Sequence, residues 1–141
     1  MKKYESLFEK TKEINYLTEK ENLRENKRHL GEMSNLSKKT SELPVNLWLD
    51  DDGTWMTTKH KDMRLKFQGD KGNYINRYNM LPMSISDEPE VLVKNPKNLE
   101  LSEKEINLIK KWVILNLDLL IKLSNQEIVF ADFIKKMKKV K

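Results

Sequence analysis

A capped, strongly apolar helix near the C-terminus constrains this chain more than any other feature. Ser102-Glu103-Lys104-Glu105 has the form of a capping box. The Ser102 hydroxyl can accept from a free backbone N–H of the first turn, and the Glu105 carboxylate can reach back to the cap residue. Ile106, Ile109, Trp112, Val113, Leu117, Leu120 and Ile121 follow on or near one face, and Leu108, Leu115 and Leu119 widen it. A stripe this broad has to be covered on two sides. Ser124-Asn125-Gln126-Glu127 repeats the cap pattern, and Ile128, Phe130, Phe133, Ile134 and Met137 predict a final short helix.

The cover is predicted to be a sheet. Pro44 disfavours helix at Leu43 and marks a boundary there. Val45–Leu49 and Thr54–Thr58 are β-prone runs around Asp50-Asp51-Asp52-Gly53, a hairpin signal that sets Trp48 and Trp55 on neighbouring strands. Met63-Arg64-Leu65-Lys66-Phe67 alternates strictly, with Met63, Leu65 and Phe67 inward. Met80–Ile85 reads as a fourth strand that Pro82 pushes toward an edge or a bulge, and Glu90–Lys94 as a short fifth. Strands and helices are segregated along the chain, which defines an α+β fold. The expectation is four or five antiparallel strands with two C-terminal helices packed on one face.

Residues 1–42 read as a charged helical arm in front of a single domain over residues 43–141. Tyr4, Leu7, Phe8, Thr11, Ile14 and Leu17 recur three and four apart, and Leu23, Leu30 and Met33 continue with a shifted phase. Gly31 suggests a break. The other face is Glu and Lys, a solvated pattern. The apolar stripe is narrow enough to pack on the domain or to pair with a second copy, so a homodimer through this helix is one expectation.

Composition narrows function. The 141 residues suffice for one core. There is no cysteine, which excludes disulfides, thiolate metal sites and cysteine nucleophiles. Met1-Lys2-Lys3-Tyr4-Glu5 does not read as a secretory signal, and the longest apolar run, Trp112 to Leu115, is far short of the ~20 residues of a membrane span. A cytoplasmic protein is expected. Net charge is +5. Residues 102–141 hold nine lysines against five acids, and the basic run is Lys135-Lys136-Met137-Lys138-Lys139-Val140-Lys141. Such a run suits phosphate or an acidic partner. It also suits a helix end carrying cations against its own dipole and fraying beyond it, and that plainer reading is preferred.

Motifs for phosphate loops, serine hydrolases and zinc peptidases do not occur, and His29 and His60 lie in different segments. Asp50, Asp51 and Asp52 with His60 and Asp62 are the nearest thing to a metal or catalytic cluster. Three consecutive acids before a glycine are also what a turn uses, and the turn reading prevails. Trp48, Trp55, Arg64, Lys66, Phe67, Tyr74, Arg77 and Tyr78 are an aromatic and basic set able to stack single-stranded nucleic acid. The alternative puts Trp48 and Phe67 in the core and leaves Arg64 and Lys66 on a solvated strand face. Tyr74-Ile75-Asn76-Arg77-Tyr78-Asn79 is harder to absorb. It places two tyrosines and an arginine, residue types enriched at binding hot spots, in a loop.

Trp48-Leu49-Asp50-Asp51-Asp52-Gly53, Arg64-Leu65-Lys66-Phe67-Gln68, Pro82-Met83-Ser84-Ile85-Ser86, Ile109-Lys110-Lys111-Trp112 and Asn116-Leu117-Asp118-Leu119-Leu120 resemble short uncharacterised proteins carried by bacterial phages and mobile elements. The resemblance spans residues 45–138 and defines no catalytic residues. Proteins of that setting include toxin–antitoxin partners and inhibitors of host defence such as anti-CRISPR proteins. It implies a non-enzymatic interaction protein that binds and inhibits or modulates a host nucleic-acid machine, a larger protein or ribonucleoprotein. No catalytic, cofactor or metal residue is assigned. The expected contact residues are Tyr74, Arg77, Tyr78, Arg64, Lys66, Lys135, Lys136, Lys138 and Lys139. A small nucleic-acid-binding module and a metal-dependent nuclease are the alternatives.

Overall fold

A computed structural model describes residues 16–29, 33–57, 62–72, 74–76 and 78–140. The elements run α1 (Glu19–His29), β1 (Met33–Leu36), α2 (Lys38–Ser41), β2 (Leu47–Asp50), a 3₁₀ turn (Thr54–Thr57), β3 (Arg64–Gln68), β4 (Met80–Ser84), α3 (Glu103–Leu115), α4 (Leu117–Ser124) and α5 (Phe130–Lys136). The four strands form one antiparallel sheet in the order β1-β2-β3-β4. The fold is α+β, with α3, α4 and α5 at the C-terminus.

Strand periodicity of two decides what each face of the sheet does. Leu36, Leu47, Leu49, Leu65, Phe67, Leu81 and Met83 line one face and share a single core with Ile109, Trp112 and Val113 of α3, Leu120 and Leu123 of α4 and Phe133 of α5. Trp112 meets the Phe133 ring edge-on at 6.1 Å between centroids. Each of these side chains, fully buried, contributes about 1.5–3 kcal/mol by leaving water. The other face carries Trp48 and Asp50 from β2 and Arg64, Lys66 and Gln68 from β3, all buried. Asn22, Glu25 and Asn26 of α1 face these residues: both asparagine amides donate to the Met80 carbonyl, at 2.7 and 3.0 Å.

The described part of residues 1–42 departs from the expected helical arm. Its stripe from Tyr4 to Ile14, with Leu30 and Gly31, lies outside the described residues. Leu17 is buried and bridges Val93, with its N–H donating to the Leu92 carbonyl at 2.6 Å. Residues 33–36, expected as helix, form edge strand β1, paired with β2 from Met33 opposite Asp50 to Leu36 opposite Leu47. Residues 17–29 and 33–41 therefore contribute to the sheet, its core and its cover.

Four further expectations change. Thr54–Thr57 is not the second arm of a hairpin: the partners of β2 are β1 and β3. The Asp50 carboxylate accepts from the N–H groups of Asp52, Thr54 and Trp55, and this winds the chain into the 3₁₀ turn. Trp55 accordingly stands apart from Trp48 and donates its indole N–H to the Ser124 carbonyl at 2.9 Å. The long C-terminal helix breaks at Asn116, whose buried amide donates to the carbonyls of Trp112 and Lys138 and accepts from the Lys138 N–H at 2.7 Å. Ser124 caps nothing; it ends α4, and α5 starts at Phe130. The expected fifth strand is reduced to isolated bridges, Val91 to Met83 on the outer edge of β4 and Val93 to Leu17 on the segment's other side. Pro82 fits there: its carbonyl accepts from Leu92 at 2.8 Å, so its missing N–H faces that segment and costs β3 nothing.

Candidate functional site

The loop between β3 and β4 is built around polar groups and turns its rings outward. Gln68 ends β3 fully buried, and both ends of its amide hold the loop. Its Nε2 donates to Asp70 Oδ1 at 2.9 Å and to the Tyr74 carbonyl at 3.2 Å, while its Oε1 accepts from the Asn76 N–H at 3.1 Å. Asp70 is the hub. Its carboxylate also accepts from Gly72 N–H and from the side-chain amides of Asn76 and Asn79, at 3.1, 3.0 and 3.1 Å. Burial pushes the Asp70 carboxyl up, but the bonds from Gln68, Gly72, Asn79 and Asn76 outweigh it and hold the group below its ordinary value.

Neighbouring segments fix the loop base. Gly69 N–H donates to Asn79 O at 2.8 Å, and Glu100 N–H to Gly69 O at 2.7 Å. A Cβ at Gly69 would lie 2.7 Å from Asn79 Oδ1 and 3.1 Å from Asn98 O, so the close approach needs glycine. Lys71 pairs with Glu105 of α3 at 2.8 Å. On this scaffold Tyr74 is 82% exposed and Tyr78 73%, with Ile75 exposed between them. The rings flank an open groove of about 730 Å³ that continues over Asn79, Lys97, Asn98 and Glu100. Arg77, the third expected contact of this loop, lies outside the described residues.

Arg64 and Lys66 do not join that surface. They are 6% and 2% exposed, under α1. Lys66 Nζ lies 3.0 Å from Glu25 Oε1 and donates to Asn26 Oδ1 at 2.6 Å. Arg64 donates through Nε and Nη2 to Asp62 Oδ1, at 2.9 and 2.6 Å, and its Nη1 is 3.6 Å from Glu25. Their alternation on β3 is as read, but α1 covers the face, so neither a solvated face nor a contact surface results. Burial brings the Lys66 amine down to about 8; Glu25 opposes the shift and Arg64 adds to it. Glu25, Asp50, Asp62, Arg64 and Lys66 line a cavity of about 30 Å³, which holds about one water molecule and no organic substrate.

The acids hold the turn and its neighbours in place. Asp50 serves the 3₁₀ turn, Asp51 accepts from Ser34 Oγ at 2.6 Å, Asp52 accepts from Thr54 and Asp62 pairs with Arg64. Burial raises the Asp50 carboxyl, and Asp52 adds to that. His60 lies outside the described residues, and among these no group of three or more His, Asp or Glu is placed to hold a metal ion.

Lys135, Lys136, Lys138 and Lys139 are exposed, yet the segment is pinned. Asn116 holds the backbone of Lys138, and Lys139 pairs with Glu42 at 2.6 Å, which replaces the expected frayed end. Lys135 and Lys136 close the last turn of α5.

Sequence reading singled out Tyr74 and Tyr78, which the structure exposes, but not Gln68, Asp70, Glu25 and Asn26, which it buries or ties into polar clusters. Thr18-Glu19-Lys20-Glu21 was a legible sign for α1: Thr18 and Glu21 form the same reciprocal cap as Ser102 and Glu105. No family model, curated protein or solved structure matches the chain. Among the described residues no helix is long and apolar enough to cross a membrane.

Proposed function

We propose that this chain is an interaction protein with no catalytic activity of its own, and that it grips a larger macromolecule through the β3–β4 loop. The carrying observation is the exposure of Tyr74 and Tyr78 on a loop whose interior is tied by Asp70 and Gln68. Exposed aromatic rings lose water contact only when a partner covers them, and a pre-ordered loop presents them with little further loss of entropy. Tyrosine supplies rigid apolar area and a hydroxyl that hydrogen-bonds at the rim.

A protein partner fits the loop better than nucleic acid. Asp70 lies inside it, and Lys71 is already paired with Glu105. The resemblance over residues 45–138 suggests the class of partner, a host nucleic-acid machine in the cytoplasm that this chain inhibits or modulates, as anti-CRISPR proteins do.

The test is affinity capture from a bacterial lysate with tagged wild type and with Tyr74→Ala/Tyr78→Ala, each with and without nuclease. A protein that is retained after nuclease and lost from the double variant supports the reading. Recovery of nucleic acid alone, equally by both proteins and weakened steeply by salt, moves the assignment to a phosphate-binding module that uses Lys135, Lys136 and Lys138.

A further inference from the structure

Helix α3 has a second face that the fold leaves unused. Ile109, Trp112 and Val113 point into the core. Lys104, Asn107, Leu108, Lys111 and Leu115 recur three and four residues apart on the other side, with Lys110 and Ile114 beside them. Ile114 is 51% exposed and Leu115 44%, so the helix is covered on one side rather than on the expected two. An open groove of about 760 Å³ runs along this face from Ser102 to Ile114. Lys104, Lys110 and Lys111 form no ion pair or hydrogen bond through their ammonium groups among the described residues. The carboxylate on the groove is Glu103.

Three unpaired ammonium groups around exposed aliphatic side chains specify the complement. A phosphate backbone would satisfy the lysines and leave Ile114 and Leu115 uncovered. A bilayer surface rewards a broad apolar face, and here the broad face of the helix is spent on the core. A second copy joined face to face would set lysines against lysines. We propose that this face docks an acidic amphipathic segment of a partner protein. Its apolar side chains would seat on Leu108, Ile114 and Leu115, and its carboxylates would pair with Lys104, Lys110 and Lys111. The proposal does not depend on the tyrosine loop binding anything.

The test is selection from a displayed random-peptide library on the full chain, counter-selected against Ile114→Ser/Lys111→Glu. The enriched peptides are expected to bracket Leu, Ile, Phe or Trp with Asp or Glu. A synthetic copy should bind wild type, weaken about tenfold or more on Ile114→Ser and on Lys104→Glu/Lys111→Glu, and ignore Tyr74→Ala. These side chains face solvent, and matching thermal melts confirm that each variant is folded. No enrichment, or peptides that are neutral or basic, overturns the proposal. So does binding of a single-stranded oligonucleotide or of phosphatidylserine vesicles that the lysine variant abolishes and Ile114→Ser leaves unchanged. Self-association that Ile114→Ser removes, read by sedimentation, overturns it in favour of a second copy.

Discussion

Lys66 makes stability depend on pH in a way that can be worked out in advance. Its amine is buried between Glu25, Asn26 and Arg64, and burial lowers it from 10.5 to about 8. A lowering of roughly 2.5 units corresponds to about 3 kcal/mol by which the fold disfavours the charged amine, the Glu25 pairing already included. Between pH 8 and 10.5 the unfolded chain keeps a proton that the folded chain has released, so stability rises with pH across that window. Below pH 8 the full penalty applies. Lys66→Met removes the titration and keeps most of the volume. Urea unfolding of both proteins from pH 7 to 10.5 gives a difference curve in which other lysines and the tyrosines cancel. Wild type should gain about 3 kcal/mol on Lys66→Met across the window. A flat difference curve would refute the reasoning, because it would mean that Lys66 titrates in the fold as it does in water and that α1 does not cover it.

Other expectations follow from the same geometry. Asp70→Ala removes the acceptor of four loop hydrogen bonds; at a partly exposed site this should cost about 2 kcal/mol and speed amide exchange at Gly72 and Asn76. Because the Asp70 carboxyl is held below its ordinary value, that contribution is present above the unfolded value and fades as pH falls through the folded one, which acid titration of wild type against Asp70→Asn would show. Ser102→Ala deletes the cap of α3 and should lower stability by about 1 kcal/mol in chemical denaturation. Deletion of residues 1–42 removes β1 and the buried Leu17 and Leu36, and should abolish the cooperative thermal transition rather than trim a free arm; a truncated chain with an intact melt would restore the arm.

What was legible in the sequence was whatever local chemistry decides. The Ser102 box, the inward positions of Leu65 and Phe67 and the place of Pro82 at the sheet edge follow from hydrogen-bonding rules and periodicity. What was not legible was decided by distant partners. Met33-Ser34-Asn35-Leu36 has little strand propensity, and pairing with β2 makes it a strand: Asn35 donates to the Leu47 carbonyl at 3.1 Å and Ser34 to Asp51. Thr54-Trp55-Met56-Thr57 has strand propensity and is overruled by one carboxylate, Asp50. Arg64 and Lys66 alternate as a solvated strand face would, and only the approach of Glu25, some forty residues earlier, turns them into a buried cluster. The tyrosines of the loop were visible as residue types. Their outward pose was not, because it depends on Gln68 and Asp70 filling the loop from within.

The claim that the β3–β4 loop grips a partner is tested most directly by site-specific photocrosslinking. A benzophenone amino acid is placed at position 75, between the two tyrosines, and, as a control, at position 122 on the exposed side of α4. The expected result is one crosslinked protein adduct from position 75, in nuclease-treated lysate, that disappears when Tyr74 and Tyr78 are both alanine and does not arise from position 122. An adduct from position 122 alone, or the same adduct from position 75 with and without the tyrosines, would contradict the claim.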